Sequence, residues 1–177
     1  MSSSKTALIY DVHGNLPALQ AVIGDAMTEG ATKWVLGGDN ALFGAWPEAP
    51  LRQLGGLRGA MWVRGNCDRW SRDRSDAPKG EPVAGALAYL ERELDGRDLD
   101  RLANLPESAR MRDTLAVHAS PGSDLVSFSP EPGPQDAELL AGVDAARLIF
   151  GHTHIQFMRQ AADSDVVLLN PGSVGMP

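Results

Sequence analysis

Short apolar runs, each stopped by a polar or glycine residue, recur along the chain and predict buried strands. The first is Lys-Thr-Ala-Leu-Ile-Tyr over 5–10. The period then changes, with Leu16, Leu19, Val22, Ile23, Ala26 and Met27 recurring at helical spacing. Asn15 stands where a cap is needed, Pro17 falls in the first turn, where its missing N–H costs little, and Gly30 ends the helix. A second strand over 33–36 completes a strand–helix–strand unit, which makes the two strands parallel. Further strands are expected over 60–63, 114–117, 148–150, 156–161 and 165–169. Residues 37–50, rich in Gly, Pro and Ala, read as a long functional loop, and 83–95 as a solvated helical face. No repeat, low-complexity tract or linker interrupts the pattern, so 1–177 reads as one α/β domain.

The residues that follow those runs are the informative ones. Asp11 and His13 come after the first strand, Asp39 after the second and Asn66 after the third. His118 ends the fourth, and His152 and His154 follow the run over 148–150. In a mostly parallel sheet the C-terminal strand ends form one rim, where ligands bind. Singly, an Asp or Asn after a strand is an ordinary turn residue and a His an ordinary core or surface residue. Jointly, the set contains every histidine of the chain, and glycine flanks it at His13-Gly14, Gly38-Asp39, Gly65-Asn66 and Gly151-His152.

Seven carboxylate, amide and imidazole groups are too many for one tetrahedral ion but suit two ions sharing a carboxylate. A structural zinc site would be richer in cysteine, and Cys67 is the only one. Mixed N/O ligation fits Mn, Fe or Zn better than Ca or Mg. Two such ions clamp the attacking and leaving oxygens of a phosphoryl displacement and activate water. The turn of a serine hydrolase, Gly-x-Ser-x-Gly, is missing, as is a P-loop.

Composition narrows the partners. With 16 basic and 23 acidic residues the net charge is −7, which opposes binding to nucleic acid or an anionic membrane. No apolar stretch approaches a membrane span, and residues 1–5 lead into the first strand without the apolar core of a signal peptide. One cysteine suits a reducing compartment, so a cytoplasmic protein is expected.

The motifs Asp11-Val12-His13-Gly14-Asn15, Gly38-Asp39-Asn40, Gly65-Asn66-Cys67-Asp68, Val117-His118-Ala119 and Gly151-His152-Thr153-His154 resemble, in order, the signature blocks of the calcineurin-like metallophosphoesterases. Asn170-Pro171-Gly172-Ser173-Val174-Gly175 is similar to a later loop of their small bacterial phosphodiesterase-like members. The resemblance implies a β-sandwich of mostly parallel and mixed sheets flanked by helices, with metals at the strand ends. Carried over by motif, one divalent ion would take Asp11, His13, Asp39 and His154. The other would take Asn66, His118, His152 and the bridging Asp39. Manganese is the first expectation, with iron, zinc or nickel as alternatives. The implied reaction is attack on phosphorus by a metal-bridging hydroxide, with a small phosphodiester or nucleotide as substrate and self-association left open.

Two departures stand out. Cys67 occupies the slot of the family's leaving-group histidine, and Cys67 and Asp68 are carried as candidate catalytic residues. Relatives usually continue through further strands beyond the position of Pro177, which leaves two alternatives, an incomplete second sheet or a shortened form of the chain. The second block lacks the Asp-Arg pair of protein phosphatases and dinucleoside polyphosphate hydrolases, which ranks those activities lower. A non-catalytic scaffold, as in the retromer subunit of this fold, ranks lower because every ligand is present. Phe43, Trp46, Arg69 and Trp70 lie near the second and third blocks, either to stack on a base and hold phosphate or merely to pack loops.

Overall fold

The computed structural model describes residues 4–177. Residues 1–3, part of the segment read as free of a targeting signal, lie outside the described residues. In chain order the elements are β1 (Lys5–Ile9), α1 (Leu16–Thr28), β2 (Ala31–Leu36), α2 (Glu48–Gly55), β3 (Met61–Trp62), α3 (Asn66–Trp70), α4 (Glu81–Glu93) and α5 (Gly96–Ala103). Then follow β4 (Ser108–Met111), β5 (Thr114–Val117), α6 (Gln135–Leu139), β6 (Arg147–Ile149), β7 (Phe157–Gln160) and β8 (Val167–Asn170). Among the described residues no helix is long and apolar enough to cross a membrane.

The strands form two packed sheets, the arrangement that the family resemblance implies. One is parallel, in the order β1-β2-β3. The other runs β4-β5-β6-β8-β7, with β5, β6 and β8 parallel and antiparallel strands at both edges. Leu8, Tyr10 and Val35 of the first sheet face Ala116, Ile149 and Leu169 of the second. Alternate residues, Ile9, Trp34 and Leu36, face outward onto Leu19 and Ile23 of α1. On the far side Leu148, Phe150 and Leu168 pack against Phe128 and Leu139. Period-two burial on both faces of each sheet explains why the strands read as nearly continuous apolar runs.

α1 starts where the sequence indicated: Asn15 Oδ1 accepts the N–H of Ala18 at 3.2 Å. The long loop over 37–50 is a correction, because α2 begins at Glu48 and buries Leu51 and Leu54. The solvated face over 83–95 is α4, and it is only half solvated, since Leu87 and Leu90 enter a core shared with Leu99 and Leu102 of α5.

Hydrogen bonds continue past the strand ends and lock the loops there together. Asp11 N–H donates to Gly38 O, His13 N–H to Asp39 O, and Gly151 N–H to His118 O. The last loop crosses from one sheet to the other, with Val174 N–H on Tyr10 O and Gly175 N–H on Asp11 O. This stitching closes the sandwich at the end where the predicted ligands lie.

Candidate metal centre

Five of the seven predicted ligands sit in the left-handed backbone region: Asp11 (φ 54°), His13 (47°), Asp39 (56°), His152 (67°) and His154 (61°). Each such residue costs of order 1–3 kcal/mol unless its surroundings over-determine it. Here the turn re-aims a side chain from the strand's face to its end, and the loop hydrogen bonds just described hold it. Gly65 permits a close approach, since a Cβ on it would lie 2.1 Å from Asp39 Oδ1.

The seven side chains form one unbroken series. Asp11 Oδ1 lies 3.6 Å from His154 Nε2, which lies 3.2 Å from His13 Nε2. His13 Nε2 is 3.8 Å from Asp39 Oδ2, and Asp39 Oδ1 is 3.5 Å from His118 Nε2. His118 Nε2 and His152 Nδ1 each lie 3.0 Å from Asn66 Oδ1. Asp39 therefore stands in the middle, one oxygen toward each half.

The donor chemistry fits cations. Nδ1 of His13 donates to Leu42 O, that of His118 to Gly37 O and that of His154 to Met176 O, at 3.0, 2.8 and 2.7 Å. In the neutral rings this leaves each Nε2 a bare acceptor turned into the centre. Two such lone pairs, on His13 and His154, face each other at 3.2 Å, which is repulsive unless a proton or cation lies between them. Asp11 Oδ1 is buried without any hydrogen-bond partner, although Oδ2 accepts from His152 N–H. The Asn66 amide makes the same point: reversed, its NH2 would donate to both His118 and His152. Protein groups alone favour that reversal; a cation favours the oxygen inward.

Charges are strongly coupled. Burial works to raise the Asp39 pKa, but His118 and His13 beside it, with the Cys67 N–H, bring it below the ordinary value. Burial disfavours a proton on His118, yet Asp39 and Asp11 outweigh it and raise its pKa. His154 is raised mainly by the Asp11 carboxylate beside it, whereas burial and then His118 lower His152.

Asp68 is fully engaged. Its Oδ2 accepts from Asp39 N–H, Gly65 N–H and the Asn40 amide, and its Oδ1 from Asn40 N–H. Burial and the nearby Asp39 nevertheless push its pKa up to about 6. Cys67 is buried beside Asp39 and also within the core over α4 and α5. Burial and three surrounding carboxylates push its pKa well up.

Beside His118 a cavity of about 360 Å³ is walled by Arg64, Arg69, Ser120, Ser123 and Asp124. Arg69 is clamped between Asp76 and Asp124, which fixes the turn over 120–124 against the site. Trp70 is buried and donates its indole N–H to Asp76, so it packs the loop. Sequence reasoning missed the carbonyls of Gly37, Leu42 and Met176, for which no side-chain signal exists. It flagged the Asn170–Gly175 loop without a role; Asn170 braces Gly151 and Thr153, and Ser173 Oγ donates to Asp11 O.

The calcineurin-like phosphoesterase superfamily domain matches residues 5–177. The chain belongs to that superfamily. An uncharacterised protein of Methanocaldococcus jannaschii is 28% identical over 197 residues, covering 100% of this chain and 79% of the relative. Among solved structures, a metallophosphoesterase from Sphaerobacter thermophilus superposes with a TM-score of 0.81 at 24% identity, over 99% of this chain and 79% of that one. A hypothetical protein from Pyrococcus horikoshii gives 0.83 at 18% identity, with the same coverages. Within this calcineurin-like phosphoesterase, the expected sandwich of parallel and mixed sheets flanked by helices is the fold observed.

Proposed function

We propose that the protein hydrolyses small phosphodiesters or nucleotides through two divalent cations, manganese first among them. One cation is assigned to Asp11, His13, Asp39 and His154, and the other to Asp39, Asn66, His118 and His152. The observation that carries this reading is the unbroken series of ligand atoms with Asp39 at its middle, one oxygen toward each histidine pair. Cations held there would supply Lewis acidity and make water acidic enough to serve as a nucleophile near neutral pH.

The chain's own residues fix the rest. Backbone carbonyls orient His13, His118 and His154 with Nε2 inward. Asp68 has no free oxygen for substrate and acts as a positioning residue, tying the Asp39 and Gly65 turns together. Cys67, as a buried neutral thiol, offers the leaving group little protonation, which favours esters that depart unassisted. The test is chelator-stripped protein assayed with bis(p-nitrophenyl) phosphate and p-nitrophenyl phosphate, with Mn²⁺, Fe²⁺, Zn²⁺ or Ni²⁺ added back. Restored turnover, with the diester at least comparable to the monoester, is expected. No metal-restored hydrolysis of either ester would contradict the reading.

A further inference from the structure

The turn between β2 and α2 leaves the Phe43 ring at the mouth of the metal centre, 41% exposed. Its centroid lies 5.9 Å from the His13 ring at an interplanar angle of 51°. Phe43 also has φ of 79°, a strained conformation for a bulky side chain. Among the described non-glycine residues with positive φ, five are candidate ligands, and Phe43 joins them at the same site. Arg112 and Asp163 also have positive φ, but strained backbone clusters at functional sites, and six of the eight such residues gather here.

The turn is held from every side. His13 Nδ1 donates to Leu42 O at 3.0 Å and Trp46 N–H to Gly14 O at 3.1 Å. The Tyr89 hydroxyl donates to Ala45 O at 2.9 Å. Gly44 presses on the ligand loop so closely that a Cβ would fall 1.8 Å from His13 O. Leu42 beside it is buried, so the turn's packing is supplied without Phe43. A rigid, exposed, strained aromatic ring beside a metal ligand costs stability and contributes little to the core.

We propose that Phe43 is a stacking platform for a flat aromatic group, a nucleobase or an aryl ring, on the phosphoester substrate. The proposal rests on the phosphoesterase reading above and specifies its substrate class. The ring offers its face equally in ground and transition states, so its loss acts on KM and leaves kcat in place.

The test compares thymidine 5′-(p-nitrophenyl) phosphate with methyl p-nitrophenyl phosphate, which share a leaving group, on the Mn²⁺-loaded protein. Inorganic phosphate, which has no ring, serves as a competitive inhibitor. Phe43→Ala, and Phe43→Gly, which relieves the backbone strain, are expected to raise KM for the thymidine ester about tenfold with kcat within about twofold. Phe43→Tyr restores KM, and the phosphate Ki stays unchanged in all three. A parallel KM rise for the methyl ester assigns the stacked group to the aryl ring; an unchanged KM assigns it to the nucleobase. Unchanged KM for the thymidine ester, or a phosphate Ki rising in step with KM, overturns the proposal. A wild-type protein that hydrolyses neither ester overturns the phosphoesterase reading instead.

Discussion

Asp68→Asn separates stability from function at this site. Asp68 is 1% exposed, and burial plus the charge of Asp39 outweigh four N–H donors to leave its pKa at about 6. Against an ordinary value of 3.8 the shift is roughly 2 units, or about 3 kcal/mol at about 1.36 kcal/mol per unit. The folded pKa lies above the unfolded one, so the associated stability is complete below about pH 3.8, drains away as pH rises and is gone above about pH 6. An amide mimics the protonated acid and never ionises. The metal-free variant should therefore match wild type near pH 4 and exceed it at pH 7.5 by up to about 3 kcal/mol. Activity goes the other way. The amide oxygen keeps Asp39 N–H, Gly65 N–H and the Asn40 side chain, but its NH2 meets Asn40 N–H where Asp68 Oδ1 accepted at 3.1 Å. Two donors in that contact push the turn over 39–40 and displace Asp39, and a shift of about 1 Å costs about a hundredfold in rate. Urea melts with chelator at the two pH values, beside kcat/KM with Mn²⁺, measure both effects. A variant destabilised equally at both pH values would refute the reasoning, because the four hydrogen bonds would then outweigh the buried charge.

Three further outcomes follow from the same geometry. Asp39→Asn keeps the Cys67 N–H bond at its Oδ1 but bridges cations poorly, so metal content by elemental analysis should fall and kcat/KM drop at least about a thousandfold. Normal turnover and metal content would contradict this. Cys67→Ala should stay within about threefold of wild type, because a neutral thiol is a weak donor; a hundredfold loss at normal metal content would make the cysteine catalytic. Asp11 raises the pKa of His154 and Asp39 that of His118, so protons compete with a cation for these rings as pH falls. Apparent Mn²⁺ affinity should therefore weaken from pH 8 to about pH 6, with proton release seen by calorimetry in buffers of different ionisation enthalpy. The same raised pKa values make the protonated rings stabilise the metal-free fold below about pH 6.5, a contribution lost as pH rises through them.

Local signals made part of the fold legible. β1, α1 and β2 announced themselves by an apolar run, a cap, a helical period and a second run. α2 escaped because Pro50 and its glycine-rich surroundings read as loop, although Leu51 and Leu54 give it a buried face. β4 is an edge strand, Ser-Ala-Arg-Met, whose pairing with β5 depends on the hairpin turn rather than on an apolar pattern. α5 carries a cap in its sequence, Asp95, whose side chain accepts from the N–H groups of Arg97 and Asp98. The candidate site residues stood out in the sequence because each follows an apolar run that forms a strand. Their left-handed backbone did not, since propensity gives no reason for His152 or Asp11 to adopt it. Four aromatic or basic residues near the site were indistinguishable in sequence; burial separates Trp70 from Phe43, and Asp76 with Asp124 accounts for Arg69.

The central claim is a pair of cations sharing Asp39, and electron paramagnetic resonance of the Mn²⁺-titrated protein tests it most directly. Two ions as close as a shared carboxylate requires, about 3.5–4 Å, couple their spins. The account predicts saturation at two Mn²⁺ per chain, a coupled multiline signal in wild type, and loss of that coupling in Asp39→Asn. Saturation at one ion, or two ions with uncoupled six-line spectra, would contradict it.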